Sequence, residues 1–473
     1  MTRGIRAAGA YAPANRVPAA AFEDAWGRFD APGVESTAVP DADEDALTMA
    51  VEAARRALSA GDAAGGDLES VSFATTTPPL AEADLTPRLG SYLAAPDDAT
   101  TRMYGGHTRA GVDALLDALD RDGPALVVAA DCPAGEPDDR REHAAGAGAA
   151  AFLVGADAPA TVEASASVST PRPGTRFRRP ASTDLEGLDV GTYGREAFVE
   201  SVEAAVDALE GVHADGDDGR RSSDGVAYDA AAVQAPDGKR PYRTDLDAEA
   251  IAAVETVSEL GATAAASVPL GLARAFEAGH ERTLSVAWGS GAAATATLVT
   301  GSAPVETSLA ADRALDYPAY LRRRGDVVGT TPDGGAAHVP VPTWRRSLAQ
   351  RHRHVAGRCP DCGHVAFPPE GACPDCAALV EFRPVEPART GTVEAATTIG
   401  RGGAPPEFAD QQAKQGAFGV AIVAFDAGEG AVSIPIQVVG EAEVGDRVRA
   451  VPRRIYVEEG VPRYGLKAVP VGQ

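Results

Sequence analysis

Two patterns of apolar residues alternate along the first two thirds of the chain. The stretch from Asp43 to Leu58 has apolar residues at helical spacing and acidic residues at its start, which predicts a helix. Gly111 to Leu119 predicts a second helix. Short, mainly apolar runs predict buried strands at 125–130, 149–154, 283–288 and 294–299. Strands separated by helices indicate an α/β domain with both sheet faces covered.

The pattern changes after a Pro- and Gly-rich segment at 330–343, which predicts a linker. Residues 344–353 predict a short basic helix. From Gly391 onward, short Val- and Ile-rich stretches separated by turns predict a small β-barrel of OB type. We therefore expect an α/β domain over 1–329, the linker over 330–343, a helix and cysteine-rich module over 344–385, and a barrel over 386–473.

The charge balance restricts the possible partners. The chain has 43 Lys and Arg against 68 Asp and Glu, a net charge of -25 at pH 7. Phosphate-rich partners need concentrated positive charge, so we expect no nucleic acid and no membrane partner. Excess carboxylate with only three lysines suggests, as a hypothesis, a halophilic protein kept soluble in high salt. Because we find neither a bilayer-length apolar run nor an apolar signal segment, we expect a cytoplasmic protein.

Four of the five cysteines lie close together and form the most specific motif. Cys359, Cys362, Cys373 and Cys376 make two C-x2-C pairs separated by ten residues. Two such pairs supply four thiolates for a tetrahedral Zn²⁺ and leave no open position for a substrate, which predicts a structural zinc site. A redox role is less favoured, because thioredoxin-like motifs occur singly near a βαβ unit.

The cysteine segment and the barrel region resemble a known prokaryotic family. In that family a rubredoxin-like zinc ribbon precedes an OB fold, and the resemblance covers about Trp344 to the end. Members associate with thiolase-superfamily enzymes and handle acyl-CoA, so the resemblance implies CoA or acyl-CoA as a ligand and a thiolase or active synthase as a partner. The segments that carry it are 358–376, 391–394, 405–408, 445–448 and 464–467.

The large domain resembles archaeal 3-hydroxy-3-methylglutaryl-CoA synthases and the related ketoacyl-ACP synthase III enzymes. Each matching motif is common in buried α/β turns, but the motifs follow the family's order. The resemblance implies a thiolase-like layered α/β fold, acyltransferase-type ancestry and a homodimer. The matching segments are 43–54, 125–131, 146–155, 236–239, 261–273 and 288–293.

The family's catalytic residue types are replaced at the matching positions. Such synthases use a Cys nucleophile, a His and a Glu, and these roles need a thiolate, an imidazole and a carboxylate. The nucleophile position falls on Tyr104, or on Met103 with a one-residue slip. The histidine falls on Gln234, the carboxylate near Thr76 and the family's asparagine on Ala262. The resemblance therefore implies that these positions line a former acyl-CoA tunnel that lacks the family's catalytic side chains.

Three residues could substitute for the lost groups. Cys132 is the remaining cysteine of the domain, and we interpret it as a buried structural residue because nothing cationic beside it would lower its pKa. His107 could serve as an acid or base. Tyr104 could donate a proton in a thiolase-fold carbon-carbon lyase, although we favour a tyrosine that fills an unused tunnel.

These observations predict a non-catalytic acyl-CoA-binding or scaffold protein, a pseudoenzyme fused to a zinc-ribbon/OB module. The main alternative is an active enzyme. It would be an acyl-CoA condensing enzyme with a relocated nucleophile, or a carbon-carbon lyase using Tyr104 or His107. A third class is a regulatory module that binds neither CoA nor substrate.

Overall fold

The computed structural model describes residues 3–180, 182–188, 190–216, 226–291, 293–328, 340–400, 405–428 and 430–471. The chain divides into two compact units. The first contains Met1–Asp41 and Asp45–Tyr320, and the second contains Ala42–Glu44 and Leu321–Gln473. Most of the predicted linker lies outside the described residues, and its last residues begin a helix at Val341. Among the described helices, none is long and apolar enough to cross a membrane.

Within the described ranges, the first unit contains ten helices and thirteen strands. Only the first four residues of the last helix belong to this unit. The helices are α1 (Ala19–Trp26), α2 (Ala46–Ala60), α3 (Thr86–Leu93), α4 (Ala110–Leu119), α5 (Arg140–Ala144), α6 (Gly191–Gly216), α7 (Ala248–Ala252), α8 (Val257–Leu260), α9 (Ser267–Ala278) and α10 (Tyr317–Arg324). The strands are β1 (Arg3–Tyr11), β2 (Asn15–Pro18), β3 (Ser36–Val39), β4 (Ser70–Ala74), β5 (Thr100–Tyr104), β6 (Ala125–Asp131), β7 (Gly148–Ala156), β8 (Thr161–Ser169), β9 (Ala230–Val233), β10 (Arg282–Gly289), β11 (Ala293–Thr300), β12 (Val305–Ser308) and β13 (Arg313–Ala314).

Two large sheets and three layers of helices build the core of this unit, and a third, three-stranded sheet has the order β13-β2-β3. The larger sheet has the order β12-β1-β7-β6-β4-β5, and the smaller has the order β8-β11-β10-β9. Helices α4 and α9 lie between the two sheets and contribute to the core on both sides. Helix α2 covers the outer face of the larger sheet and α6 that of the smaller. The predicted α/β domain is confirmed as a five-layered arrangement.

The predicted strands are confirmed within two residues, whereas the first helix starts later than predicted. Helix α2 begins at Ala46 because the side chain of Asp45 accepts hydrogen bonds from the backbone N–H groups of Leu47 and Thr48. The two carboxylates before Asp45, on Asp43 and Glu44, therefore lie outside the helix and group with the second unit.

The second unit contains three short helices and eight strands within its described residues. These are α11 (Val341–Arg346), α12 (Leu348–Arg353), α13 (Ala409–Gln415), β14 (Ala356–Arg358), β15 (Val365–Ala366), β16 (Arg383–Val385), β17 (Thr390–Ile399), β18 (Phe418–Asp426), β19 (Ala431–Val438), β20 (Arg447–Glu458) and β21 (Val461–Pro470). The single helix predicted over 344–353 is broken at Ser347, whose hydroxyl donates to the carbonyl of Trp344 and competes with the helical backbone.

Strands β17, β18, β19, β21 and β20 close into a barrel in that order. Strand β19 shows how the sequence specifies it, because Val432, Ile434, Ile436 and Val438 are buried and alternate with more exposed residues. Strands β15, β14 and β16 form a separate small sheet that precedes the barrel. The predicted β-barrel is confirmed as a closed five-stranded barrel.

A buried ion-pair cluster lies within the second unit. Lys467 is fully buried on β21, and its Nζ lies 2.7 Å from Oδ2 of Asp43. Arg453 lies 3.5 Å from Asp43 and 3.0 Å from Glu44. Burial alone would raise the pKa of Asp43, but Lys467 and Arg453 together lower it below its usual value. Removal of one partner would leave an uncompensated buried charge.

We predict that Lys467→Met destabilises the second unit by about 3–5 kcal/mol, because Asp43 would lose its shortest ion pair while staying buried. Urea denaturation followed by circular dichroism measures the change. Lys414→Met is the matched control, since Lys414 pairs with Asp410 at 3.0 Å on the surface of α13, and it should cost less than about 1 kcal/mol.

The same pair predicts a pH dependence. Because the pKa of Asp43 is lowered on folding, its contribution is complete above the ordinary Asp pKa of about 4 and is lost as the pH falls further. The stability difference between wild type and Lys467→Met should therefore shrink below about pH 4. If the free energies of unfolding of wild type and Lys467→Met differ little, and by the same amount at every pH, the interpretation of this cluster is contradicted.

Candidate functional site

The first unit is organised around the buried carboxylate of Asp131, at the end of β6. Its Oδ1 accepts from the hydroxyl of Thr75 at 2.9 Å, the N–H of Thr76 at 2.7 Å, and the N–H and hydroxyl of Thr77 at 2.9 and 2.8 Å. Its Oδ2 accepts from the hydroxyl of Thr76 at 3.1 Å and the N–H of Ala265 at 2.7 Å. Six donors from the described part of the chain therefore satisfy this fully buried carboxylate.

The turn that precedes α9 is held in a strained conformation by this network. Ala264 has φ of 48°, in the left-handed region that favours glycine. Its carbonyl accepts from Nε2 of Gln234 at 2.8 Å, while the next N–H donates to Asp131. Gly111 of α4 allows the close approach, because a Cβ there would lie 2.4 Å from the carbonyl oxygen of Ala265. Such strain is typical of functional sites.

The structure brings two of the four predicted tunnel positions into one hydrogen-bond network. Thr76 and Gln234 are linked through Asp131 and the 264–265 turn. Ala262 lies next to this turn and lines a cavity. Tyr104 lies at the end of β5, and its hydroxyl donates to Asp117 of α4 at 2.7 Å. Burial and this hydrogen bond raise the pKa of Tyr104, so its phenol stays protonated at neutral pH.

The two other candidate groups differ in reactivity. Burial lowers the pKa of His107, whose Nε2 lies 3.7 Å from Asp113, so its imidazole is neutral at pH 7. Burial raises the pKa of the Cys132 thiol to about 12. The sulfur lies 3.8 Å from the hydroxyl of Thr77. A thiol that remains protonated is a poor nucleophile, which supports a structural interpretation of Cys132.

A cavity of about 360 Å³ opens beside the network within the first unit. Four arginines line it, together with three carboxylates, the predicted tunnel residue Ala262 and one indole. Residues 1–320 carry 25 Lys and Arg against 51 Asp and Glu, so this concentration of cations contrasts with the rest of the unit. The charged lining residues are Arg140, Arg141, Arg176, Arg240, Asp30, Glu186 and Asp237.

The cavity arginines differ in how they are held. Arg141 pairs with Asp139 at 2.9 Å, and Arg240 donates to the carbonyl of Gly194 at 2.9 Å. Nη2 of Arg176 is buried and has no hydrogen-bond partner among the residues described. Burial lowers the pKa of Arg176 to about 10, although the charge of Asp131 opposes this, so its guanidinium remains cationic at neutral pH.

Asp131 and Arg176 were missed by the sequence interpretation. Asp131 directly follows a continuous apolar run, and this position at a strand end was the one sequence signal for it. Arg176 lies in an irregular segment between β8 and α6, where no periodic pattern indicates which side chains turn inward.

The four predicted zinc ligands come together in the second unit. Their sulfur atoms lie within 4.8 Å of one another, with 3.8 Å between Cys359 and Cys376 and 3.6 Å between Cys362 and Cys373. Zn–S bonds of about 2.3 Å in a tetrahedron place sulfurs roughly 3.8 Å apart. The four thiols therefore fit a closed Zn²⁺ site, which would tie the two cysteine turns together.

The two C-x2-C turns repeat one backbone arrangement. The N–H of Cys359 donates to the carbonyl of His364, and the N–H of Cys373 donates to the carbonyl of Ala378. In each turn the first cysteine is buried and the second is exposed. The repeated geometry places the sulfurs of Cys359 and Cys362 opposite those of Cys373 and Cys376.

Comparisons with known proteins agree with this geometry. Residues 346–381 match the ChsH2 rubredoxin-like zinc ribbon domain. The hydroxymethylglutaryl-CoA synthase of Aeropyrum pernix is 28% identical over 349 residues, 68% of this chain and 91% of that protein. The corresponding synthase of Thermococcus onnurineus is 35% identical over 164 residues, 34% of this chain. That match, like others near it, spans about half the length of the relative.

Solved structures show the same fold in the first unit. MvaS in complex with 3-hydroxy-3-methylglutaryl coenzyme A aligns with a TM-score of 0.60 and 18% identity, over 71% of this chain and 95% of MvaS. The ketoacyl synthase FabH of Pseudomonas aeruginosa aligns with a TM-score of 0.54 and 19% identity, over 65% of this chain and all of FabH.

The five-layered unit thus has a thiolase-like α/β fold. More particularly, the chain is similar to archaeal hydroxymethylglutaryl-CoA synthases, and it also carries a rubredoxin-like zinc ribbon and a closed barrel. The resemblance of the large domain to archaeal hydroxymethylglutaryl-CoA synthases is confirmed, and the zinc-ribbon resemblance is confirmed over residues 346–381.

We predict that Cys373→Ser lowers the bound zinc of the purified chain from one ion per chain to a small fraction of that value, because three thiolates leave the tetrahedron open. Elemental analysis by mass spectrometry measures it. Cys132→Ser is the matched control and should keep the zinc, since Cys132 lies in the other unit. Full zinc content in Cys373→Ser would rule out the four-thiolate site.

Proposed function

We propose that this chain is a non-catalytic acyl-CoA-binding protein that holds its ligand in the arginine-lined cavity of the first unit. The observation that carries the proposal is the grouping of Arg140, Arg141, Arg176 and Arg240 around one cavity of a strongly acidic unit. CoA carries several phosphate charges, which guanidinium groups recognise well. The proteins in the similar solved structures bind 3-hydroxy-3-methylglutaryl coenzyme A and CoA, which supports the same ligand class here.

The replaced family positions support the absence of acyl transfer. Acyl transfer to the protein needs an activated nucleophile with a base beside it. The hydroxyl of Thr76 and the amide of Gln234 are engaged in structural hydrogen bonds, and the Cys132 thiol stays protonated. The protein would therefore bind an acyl-CoA without transferring the acyl group to one of its own side chains.

A second candidate function, a thiolase-fold lyase, rests on His107 and Tyr104. The lowered pKa of His107 leaves a neutral imidazole that could accept a proton. Against this, the hydroxyl of Tyr104 donates to Asp117, and His107 lies 3.7 Å from Asp113, which is on the same helix as Asp117. Turnover of β-hydroxyacyl-CoA esters that Tyr104→Phe or His107→Ala abolishes would favour the lyase.

The second unit would act as an acyl-CoA-associated module that contacts a thiolase or an active synthase. The strand order β17-β18-β19-β21-β20 with closure supports assignment of the barrel to the OB type. Fusion of both units in one chain gives them a high effective concentration, which suits retention of an acyl-CoA between binding partners. We further propose a cytoplasmic homodimer, whose acidic composition suits high salt.

We predict that calorimetry detects binding of CoA to wild type and that Arg240→Gln weakens it by about tenfold, because a charge-assisted contact to phosphate is lost. Arg282→Gln is the matched control, since Arg282 pairs with Glu163 at 3.3 Å away from the cavity lining. Its affinity should equal that of wild type. The absence of any heat with CoA would reject the proposal in favour of a regulatory module.

A further inference from the structure

One wall of the cavity is a segment with a glycine at each end. Residues 27–33, the wall segment, lead from α1 towards β3, and Asp30 and Pro32 of this segment line the cavity. Gly27 and Gly33 have φ of 72° and 78°, in the left-handed region that favours glycine. Such residues can absorb the change in backbone angles that a hinge needs.

A hydrogen bond to a histidine joins the wall segment to α5. The backbone N–H of Asp30 donates to Nδ1 of His143 at 2.9 Å. The side chain of His143 is fully buried. The helix that carries it also lines the cavity, through Arg140, Arg141 and Ala144. This hydrogen bond therefore holds two walls of one cavity together.

The hydrogen bond requires a neutral imidazole. A backbone N–H only donates, so Nδ1 of His143 accepts with its lone pair and the ring proton is on Nε2. A second proton would bind to Nδ1 and set two donors against each other. Protonation of His143 and its hydrogen bond to Asp30 therefore exclude each other.

The surroundings of the ring also disfavour a charge. Phe29 stacks on His143 with ring centroids 5.4 Å apart, and Phe22 packs against it at 4.9 Å. Nε2 of His143 lies 3.9 Å from Oδ1 of Asp138, and neither atom has a hydrogen-bond partner in the described part of the chain. Burial lowers the pKa of His143 below its ordinary value.

The charged groups that act on the ring come from the wall segment and from the turn before α5. Three carboxylates favour the protonated imidazole and one guanidinium opposes it; these groups are Asp30, Asp138, Asp139 and Arg28. On α5 itself, the carboxylate of Glu142 is engaged elsewhere, because it accepts from the hydroxyl of Tyr317 of α10 at 3.0 Å. The carboxylates therefore keep protonation of His143 within reach of moderately acidic pH, although burial opposes it.

The far end of the wall segment contacts another part of the cavity lining. A Cβ at Gly238 would lie 2.2 Å from the carbonyl oxygen of Gly33, so the contact needs glycine at position 238. Pro236, Asp237 and Arg240 flank Gly238 and line the cavity. A displacement of the wall segment would therefore affect the lining on both sides of the segment.

We propose that His143 and Asp30 form a pH-sensitive clamp. The neutral imidazole of His143 holds the wall segment against α5, and its protonation releases the segment. Release displaces Asp30 and Pro32 from the cavity lining, so the cavity holds its ligand less tightly at acidic pH. This last step rests on the proposed function, whereas the clamp itself does not.

The direction of the pH dependence follows from the same contacts. The closed clamp favours the neutral imidazole, so the released state binds the proton more tightly. The contribution of the clamp is complete above the ordinary His pKa of about 6.5 and is lost as the pH falls below it. The released fraction should rise by up to about tenfold between pH 7.5 and pH 5.5.

Hydrogen exchange followed by mass spectrometry, corrected for the intrinsic exchange rate at each pH, measures release without any ligand. In wild type, protection of residues 27–33 should fall by up to about tenfold from pH 7.5 to pH 5.5, while β1 keeps its protection. His143→Asn supplies an amide oxygen that can accept from Asp30 but does not titrate, so its protection should be equal at both pH values. His280→Asn, outside the cavity lining, is the matched control and should behave as wild type.

Calorimetry with CoA at the same two pH values tests the effect on the cavity. The affinity of wild type should fall more than that of His143→Asn, and the comparison cancels the titration of the CoA phosphates. Circular dichroism at both pH values checks that each variant keeps its fold.

The outcomes separate the clamp from the proposed function. Unchanged protection in wild type, or an equal loss in His143→Asn, overturns the clamp and leaves CoA binding intact. If the CoA affinities of wild type and His143→Asn fall equally, the effect on the cavity is overturned. If protection responds to pH through His143 but CoA binds at neither pH, the clamp is supported and the proposed function fails.

Discussion

The buried carboxylate of Asp131 is the constraint on which the large unit's candidate site depends. It gathers donors from Thr75 to Thr77 after β4 and from Ala265 before α9, so a single side chain fixes two loops beside the cavity. The strain at Ala264 is stabilised by the same contacts. Because all these donors are intramolecular, the carboxylate serves the fold, while its charge acts on the Arg176 guanidinium.

The two units differ in their charge balance. The first unit places four guanidinium groups around one cavity although its carboxylates outnumber its cations two to one. Residues 321–473 carry 18 Lys and Arg against 17 Asp and Glu, so the second unit is nearly neutral. Its buried cluster of Lys467, Arg453 and Asp43 and its four-thiolate site stabilise it by specific contacts.

The sequence was most informative where structure is encoded locally. The runs at 125–130 in β6 and 149–154 in β7 are continuous and apolar because both sheet faces are covered. The cysteine spacing reflects two turns with the same backbone hydrogen bond. Contacts distant in sequence could not be predicted this way. Asp43 looked like a helix-start residue, but its partner Lys467 lies 424 positions away. Arg176 turns inward from an irregular segment, where periodicity carries no information.

The central claim is that this thiolase-like protein binds acyl-CoA without reacting with it. Mass spectrometry after incubation with acetyl-CoA, under native and then denaturing conditions, tests it most directly. The account predicts a native complex with intact acetyl-CoA and, after denaturation, an unmodified chain, because Cys132 stays protonated and Thr76 and Gln234 are held in structural hydrogen bonds. A denatured chain heavier by the mass of one acetyl group would contradict it.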